Sequence, residues 1–534
     1  MRKASVMSLR WSHIPVGLAL LIISVPIVTT LLIGALAGGG ETWTHISATF
    51  FWTYLTNTIL IMVFMTVFMS LAAIPAAWFV TMHRFAGRGV FSWLLILPLA
   101  APGYVLAYSY ADFTSVAGPL QSALREATGL SAREYWFPNI RSLVGCAYIL
   151  SMALFPYVYL AARAGFQTQS MDGLQAAQTL GAGPLKRFVR IALPSARPAI
   201  VAGLALALME AGADFGTADF LGVRTLTVGV FRAWASFGDP AAGARLAISL
   251  VALTFVLLWL ERRQRGNAGY QSSPRRASTL QRTALTGWAA VLVPLYCLTV
   301  FLLSFGIPIA YLVHRALDAG EQTVPIWDAA FNSIRLAGIG AAATFAIAFT
   351  IALAAHRNMK VGKLGVAISA WGYAIPGAVL ALGAVYSLLR LGVPLSGLFA
   401  LFLLTLVYVS RFAAAGTEQM QAALHRAPIS YTHAAQSLGA GPVRRMLDID
   451  LPLIAPGAAV AALILFIEIL KELPATLMLR PFNWDTLAVR AYAYASDERL
   501  AAAAAPSLAI TIAGLVPVLI LSWRLNRIAS GPRS

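Results

Sequence analysis

A polar stretch is written into this chain twice, 258 residues apart, and each copy lies between apolar segments. Gln175-Ala176-Ala177, Gly181 and Ile191-Ala192-Leu193-Pro194 return as His433-Ala434-Ala435, Gly439 and Ile449-Asp450-Leu451-Pro452. A small-residue helix, a glycine break and a restart at Leu-Pro make an elbow held outside a membrane. Duplicating it confines the chain to two like halves on one plan, each offering a docking site to a two-fold partner.

The flanking segments set the class. Of 534 residues, 59% are hydrophobic and 11% charged, and the mean hydropathy is +0.75. Soluble domains carry about 25% charged residues. Runs of bilayer length start near residues 14, 56, 91, 142, 197, 242, 287, 329, 366, 394, 453 and 506, which predicts about twelve transmembrane helices. A net charge of +18 would point to nucleic acid in a soluble chain. Here the Lys and Arg residues fall between apolar runs, where they act as anchors, so nucleic acid is excluded as a partner and membrane lipid takes its place. Arg84 and Arg88, Lys186 to Arg190, Arg262 to Arg282, Arg357 to Lys363, Arg444 and Arg445, and Arg524 and Arg527 alternate with loops poor in positive charge. That alternation predicts a multi-pass membrane protein with both termini cytoplasmic. The first apolar run, from about His13 to Leu36, exceeds a signal-peptide core of about 7–15 residues and predicts a retained anchor. Cys146 and Cys297 lie in apolar surroundings and read as packing residues.

Residues 263–285 are rich in Gly, Ser and Arg and read as a cytoplasmic linker. They separate a first transmembrane domain, 1–262, from a second, 286–534. Pro102-Gly103 pairs with Pro376-Gly377, and Asn57-Thr58 with Asn332-Ser333. An even number of spans per half returns the second half in the same orientation. The expected fold is therefore an all-α membrane protein of two parallel six-helix repeats. The offset falls from 274 at the Pro-Gly pairs to 258 at the elbows, so the first half carries about sixteen extra residues in its outer loop, roughly Asp112 to Arg141.

In each elbow the Ala pair leaves a face with little side-chain bulk, the glycine supplies a left-handed cap, and proline suits the first turn of the next helix. The spacing Glu-Ala-Ala, three residues, Gly, nine residues, Ile-x-Leu-Pro resembles the EAA loop of ABC importer permeases. That resemblance implies a coupling helix in each half, seated in a cytoplasmic ATP-binding subunit, with Gln175, Ala176, Ala177, Leu180 and Gly181 in one copy and His433, Ala434, Ala435, Leu438 and Gly439 in the other. The usual Glu is replaced by Gln175 and His433, so an ion pair at that position is not expected, while docking by shape is.

Glu210 and Asp214, and again Glu468 and Glu472, are spaced i,i+4 on one helix face at the ends of the fifth and eleventh spans. Together with Lys471 they are candidates for the translocation pathway or its gate, because ionised groups at membrane depth are costly and functional. The alternative is structural, with the acids capping broken helices near Gly216 and Pro474 or pairing locally, as Glu468 with Lys471.

The runs from Glu210 to Thr227 and from Lys471 to Ala488 are similar to the fused permease subunits of ferric-iron ABC importers, and the similarity extends over essentially the whole chain. It implies a type I ABC importer permease fold, two copies of a cytoplasmic ABC ATP-binding subunit, a periplasmic substrate-binding protein, and ferric iron as cargo. Fused thiamine and 2-aminoethylphosphonate permeases share the architecture and stand as alternatives. The chain has no G-x-x-x-x-G-K-[ST], so it is expected to bind no cofactor and catalyse no reaction itself, with ATP and Mg on the partner. No HExxH occurs and the seven histidines share no metal-ligand spacing, so no metal ligands are assigned. An ion-gradient transporter would not need paired elbows. A membrane-embedded enzyme would need a reactive constellation that only the intramembrane acids could supply.

Overall fold

The computed structural model describes residues 2–36, 40–167, 177, 179–265, 282–318, 325–357, 359–392, 397–426, 437–439, 441, 444, 448 and 451–530. Among the described residues the secondary structure is helical apart from one two-residue strand pair. In chain order the helices that build the spans are α1 (Arg2–Leu36), α2 (Phe51–Met82), α3 (Arg88–Leu94), α4 (Gly103–Phe113), α5 (Leu143–Gln167), α6 (Leu193–Ala213), α7 (Gly216–Phe220), α8 (Leu226–Ala235) and α9 (Pro240–Arg265). The second half continues with α10 (Ala289–Phe301), α11 (Ile307–Asp318), α12 (Trp327–His356), α13 (Lys360–Ala374), α14 (Gly377–Leu391), α15 (Gly397–Arg426), α16 (Leu451–Leu470), α17 (Pro474–Leu479), α18 (Leu487–Ser496) and α19 (Leu500–Ser530).

Among the described residues nine helices are long and apolar enough to cross a membrane, and two bent pairs bring the number to eleven. The twelfth expected span is α16, whose apolar stretch Gly457–Leu470 is shorter. The bent pairs are Arg88–Ala100 with Gly103–Phe113, at 94°, and Lys360–Ala374 with Gly377–Tyr386, at 99°. Proline explains both bends. Pro102 and Pro376 lack an N–H and push the preceding residue out of helical backbone, and Ala101 and Ile375 are indeed extended. The glycine that follows lets another segment approach closely. A Cβ on Gly103 would stand 2.8 Å from Thr217 Oγ1, and one on Gly377 would stand 2.6 Å from Glu472 Oε1.

Contacts divide the chain into two compact units that cross the boundary of the sequence repeats. The first unit holds 1–51, 226–251 and 325–490, and the second holds 52–225, 252–324 and 491–534. In the first, α12, α13, α15 and α16 pack together, and α1, from the opposite end of the sequence, lies on α13, α14 and α15. Thr30 of α1 donates to Val379 O of α14 at 3.0 Å. Among α12, α15 and α16 the contact is filled by Ala352, Met420, Ala423, Leu424, Ile454, Ala458 and Ala461. Alanine-rich faces suit a bilayer, where close backbone packing replaces the hydrophobic drive between helices.

In the second unit α5 packs along α6, α4 contacts α5, α7 and α11, and α19 covers α11 and the 3-10 turn Leu97–Ala100. Polar contacts bind α4 to the start of the second half. Ser109 donates to Pro308 O at 2.8 Å, Tyr110 donates to Leu303 O, and Asp112 accepts from Tyr311 at 2.9 Å and Arg315 at 2.8 Å. The single strand pair is here too: His83–Arg84 (β1) runs parallel to Thr283–Ala284 (β2), tying the turn after α2 to the end of the central linker.

Candidate functional site

Each elbow closes on a left-handed glycine. Gly181 has φ +76° and Gly439 φ +77°, conformations that other residues adopt only at a cost. In the first elbow Ala182 N–H donates to Ala177 O at 2.9 Å, the bond that ties off a helix end when glycine occupies the left-handed position. Gly183 then caps Pro184–Arg187, and the backbone passes through a π-helical turn, Phe188–Ala192, directly into α6. Phe188 packs, tilted, against Trp78 of α2 at 5.2 Å, and Trp78 in turn meets Phe166 of α5 edge-on at 5.3 Å. The outgoing arm is therefore gripped by two spans and continuous with a third.

At both tips a leucine faces solvent. Leu180 and Leu438 are each 87% exposed, and a Cβ on either glycine would meet no heavy atom within 4 Å. Ala177 is half-buried. Gln175, Ala176, His433, Ala434 and Ala435 lie outside the described residues. In the second elbow Arg444 and Asp448 form an exposed i,i+4 ion pair at 3.3 Å.

The intramembrane acids sit where each span breaks. Asp214 is the residue after α6, and its Oδ1 accepts from Thr217 N at 2.8 Å, capping α7. Glu472 does the same at α17 with more bonds. Its Oε1 accepts from Ala475 N at 2.9 Å, and Oε2 accepts from Thr476 N at 3.0 Å and Thr476 Oγ1 at 2.7 Å. Arg411 of α15 lies 3.8 Å from Glu472 Oε1, both side chains buried. Tyr408, one turn before Arg411, shares a 2.6 Å hydrogen bond with Thr476 Oγ1. A carboxylate at a helix start satisfies orphan N–H groups and meets the positive end of the helix dipole. The partners of the other two acids differ: Glu468 pairs with Lys471 at 2.7 Å, and Glu210 is a half-buried residue of α6. Lys471 takes the repeat position of Ala213, so the two halves are chemically unequal here. Each Pro-Gly glycine packs on the second acid of its half, Gly103 near Asp214 and Gly377 near Glu472. The bend of one span and the break of another are thus a single assembly, built once in each unit.

Two asparagines complete it. Asn57 Nδ2 donates to Arg224 O at 3.0 Å, and Asn332 Nδ2 donates to Asn483 O at 3.2 Å and Asp485 O at 3.3 Å. Ser333 Oγ accepts from Leu487 N at 2.8 Å. The Asn-Thr and Asn-Ser pairs had served only as repeat markers in the sequence. Their function is to pin the turn that follows α7 or α17 to the helix opening the next layer, and their recurrence at matched positions was the available signal. In the second unit Tyr492 adds a 2.6 Å bond to Asp219 at the end of α7. Among the described residues no three His, Cys, Asp or Glu side chains are placed to hold a metal ion.

The profile of the family described as binding-protein-dependent transport system inner membrane component matches residues 70–266 and again 346–533, one match in each repeat. The chain is 25% identical to the Fe(3+)-transport system permease protein FbpB 2 of Haemophilus influenzae, over 88% of this chain and 89% of that one. It is 26% identical to the probable ABC transporter permease protein y4fN of Sinorhizobium fredii, over 83% and 82%. The molybdenum transport system permease protein ModB of Escherichia coli is 30% identical over 36% of this chain and 86% of its own. It therefore has the length of one repeat. Two profile matches on an all-α chain of paired six-span repeats give the type I permease fold, and the chain belongs to the binding-protein-dependent transport system inner membrane components, as a fused ABC permease carrying two copies of the unit.

Proposed function

We propose that this permease carries ferric iron across the inner membrane, that a periplasmic binding protein delivers it, and that two copies of a cytoplasmic ATP-binding subunit drive it with ATP and Mg. The observation behind the cargo is the end-to-end likeness to a permease named for Fe(3+) transport, fused in the same way. The alternation of Lys and Arg along the sequence supports cytoplasmic elbows and termini.

The residues give the proposal its mechanics. Each ATP-binding subunit grips one elbow through its small-residue face and the exposed leucine at its tip, with Gln175 and His433 contributing shape and not charge. Closure of the two subunits on ATP moves the elbows. The outgoing arm of the first is continuous with α6 and packed on α2 and α5 through Phe188, so the displacement reaches the break after Ala213. Asp214 and Glu472 keep each break rigid, and Glu210, Glu468 and Lys471 act as the gate. Carboxylates reduce the large cost of bringing a trivalent ion into low dielectric, and a weak, transient contact lets it leave. ATP binding thus shifts the population from inward-open to outward-open states.

The test is uptake of radioactive ferric iron into proteoliposomes that hold the permease, its ATP-binding subunit and its binding protein. ATP-dependent iron uptake is expected, and the double variant Glu210→Ala, Glu468→Ala should slow it without releasing the ATP-binding subunit. Uptake of a different cargo with none of iron would overturn the cargo. Uptake without ATP would overturn the drive.

A further inference from the structure

Four arginines of the second unit gather around the strand pair at the end of α2, and among the described residues no carboxylate is paired with them. Arg88 Nη1 donates to Val80 O at 2.9 Å, and Arg282 Nε donates to the next carbonyl, Thr81 O, at 3.2 Å. Arg84 sits in β1, one residue past the His83 ring that hydrogen-bonds Thr283 Oγ1 at 2.9 Å. Arg163, near the end of α5, is 7% exposed and donates to Ser92 O of α3 at 3.2 Å. The turn after α2, the start of α3, the end of α5 and the end of the linker thus bring their positive charges together.

The sequence supplies no counter-charge nearby. Arg84 and Arg88 stand in a stretch with no Asp or Glu from Thr42 to Ala111, Arg163 in one from Tyr135 to Met171, and Arg282 in one from Arg262 to Leu317. Among the described residues none of the four makes an ion pair. Burial and the charges of Arg163 and Arg84 lower the pKa of Arg282, as expected where cations crowd. A guanidinium has five N–H donors, and the bonds above use only one on each of three of these arginines. Gathering like charges and burying one of them is unfavourable unless an anion completes the set. Paired donors in a planar fork suit phosphate oxygens. The cluster also stands at the end of one candidate span, Phe51–Met82, and the start of the next, where lipid headgroups are expected.

We infer that Arg84, Arg88, Arg163 and Arg282 form a binding site for one phosphate group per chain, supplied by the headgroup of an anionic lipid. The site belongs to the first repeat alone, since Gln421 stands at the position equivalent to Arg163 and the central linker occurs once. An occupied site would clamp the end of the linker to the turn after α2. Trp78, one turn earlier on α2, carries Phe188 of the first elbow. Lipid occupancy would therefore brace the outgoing arm.

The experiment uses the full chain in nanodiscs of phosphatidylcholine, with and without phosphatidylglycerol, followed by delipidation and native mass spectrometry. Wild type should retain one phosphatidylglycerol, and each of Arg88→Gln, Arg163→Gln and Arg282→Gln should weaken retention about tenfold. Arg282→Gln, at a part-exposed side chain outside the spans, keeps the test decisive if the buried Arg163→Gln fails to insert. Equal retention by wild type and Arg282→Gln would overturn the site. Inorganic phosphate raising the unfolding midpoint in pure phosphatidylcholine, with the effect lost in Arg282→Gln, would make free phosphate the occupant and overturn the lipid assignment. Lipid retention that changes only when an ATP-binding subunit is present would overturn it in favour of a protein partner.

Discussion

Glu472→Ala should unfold the first unit more readily than any other single change at the candidate gate. The carboxylate accepts three hydrogen bonds, two from backbone N–H groups at the start of α17 and one from Thr476, and is the nearest counter-charge to buried Arg411. Loss of a helix cap costs about 0.5–2 kcal/mol. Removing one partner of a buried ion pair costs about 3–5 kcal/mol, because the other charge stays behind unbalanced. The two contributions share the same oxygens, so the expected total is about 3–5 kcal/mol and not their sum. At about 2 °C per kcal/mol for a body of a few hundred residues, the midpoint of thermal unfolding in detergent should fall about 6–10 °C. Asp214→Ala, which removes the matching cap where no arginine contact is seen, should cost only about 1–2 kcal/mol. Circular dichroism of both purified variants reads the difference directly. A Glu472→Ala protein with a wild-type midpoint but abolished uptake would refute the reasoning, since the side chain would then be functional and not architectural.

Replacing Gly181 and Gly439 together with Val imposes a left-handed backbone on a β-branched residue at about 1–2 kcal/mol per site, and should stop iron uptake while membrane insertion, followed by protease protection, stays intact. Asn332→Ala loses two hydrogen bonds worth about 0.5–1.5 kcal/mol each. Amide exchange at Asn483 to Leu487 should rise accordingly, with a smaller rise around Arg224 in Asn57→Ala. The pKa of His83 is held below its ordinary 6.5, mainly by burial, against the Thr283 hydrogen bond and aided by the charge of Arg187. Its contribution to stability is therefore present above pH 6.5 and lost as the pH falls below that value, where the unfolded chain binds the proton first. The unfolding midpoint of wild type should drop between pH 6.5 and 5 more than that of His83→Gln.

Local chemistry was legible in the sequence, and distant packing was not. Pro102-Gly103 and Pro376-Gly377 entered only as repeat markers, yet proline and glycine act on their own backbone, and the bends of 94° and 99° fall where they stand. Gly181 likewise fixes its turn within a few residues. The placement of α1 on α13, α14 and α15 left no trace, because a helix that is apolar all round does not show which face meets protein and which meets lipid. Units that draw on both repeats were invisible for the same reason. At the acids the spacing and both possible roles were legible, but only geometry could show Glu472 turned onto the N–H groups of α17 and Glu468 turned onto Lys471. Arg84, Arg88 and Arg282 read only as separate anchors and Arg163 carried no signal, since the strand pair that gathers the first three joins segments 200 residues apart.

The lodging of α1 against helices from the far end of the polypeptide has a consequence for biogenesis. Ribosomes elongate at about 5–20 residues per second, so this segment enters the bilayer on the order of tens of seconds before its neighbours exist. During that interval its protein-facing side, including Thr30, must be shielded by lipid or by the insertion machinery. Assembly of this unit therefore waits for late translation, and a message truncated before codon 360 would leave α1 without its packing partners, for quality-control proteases to clear.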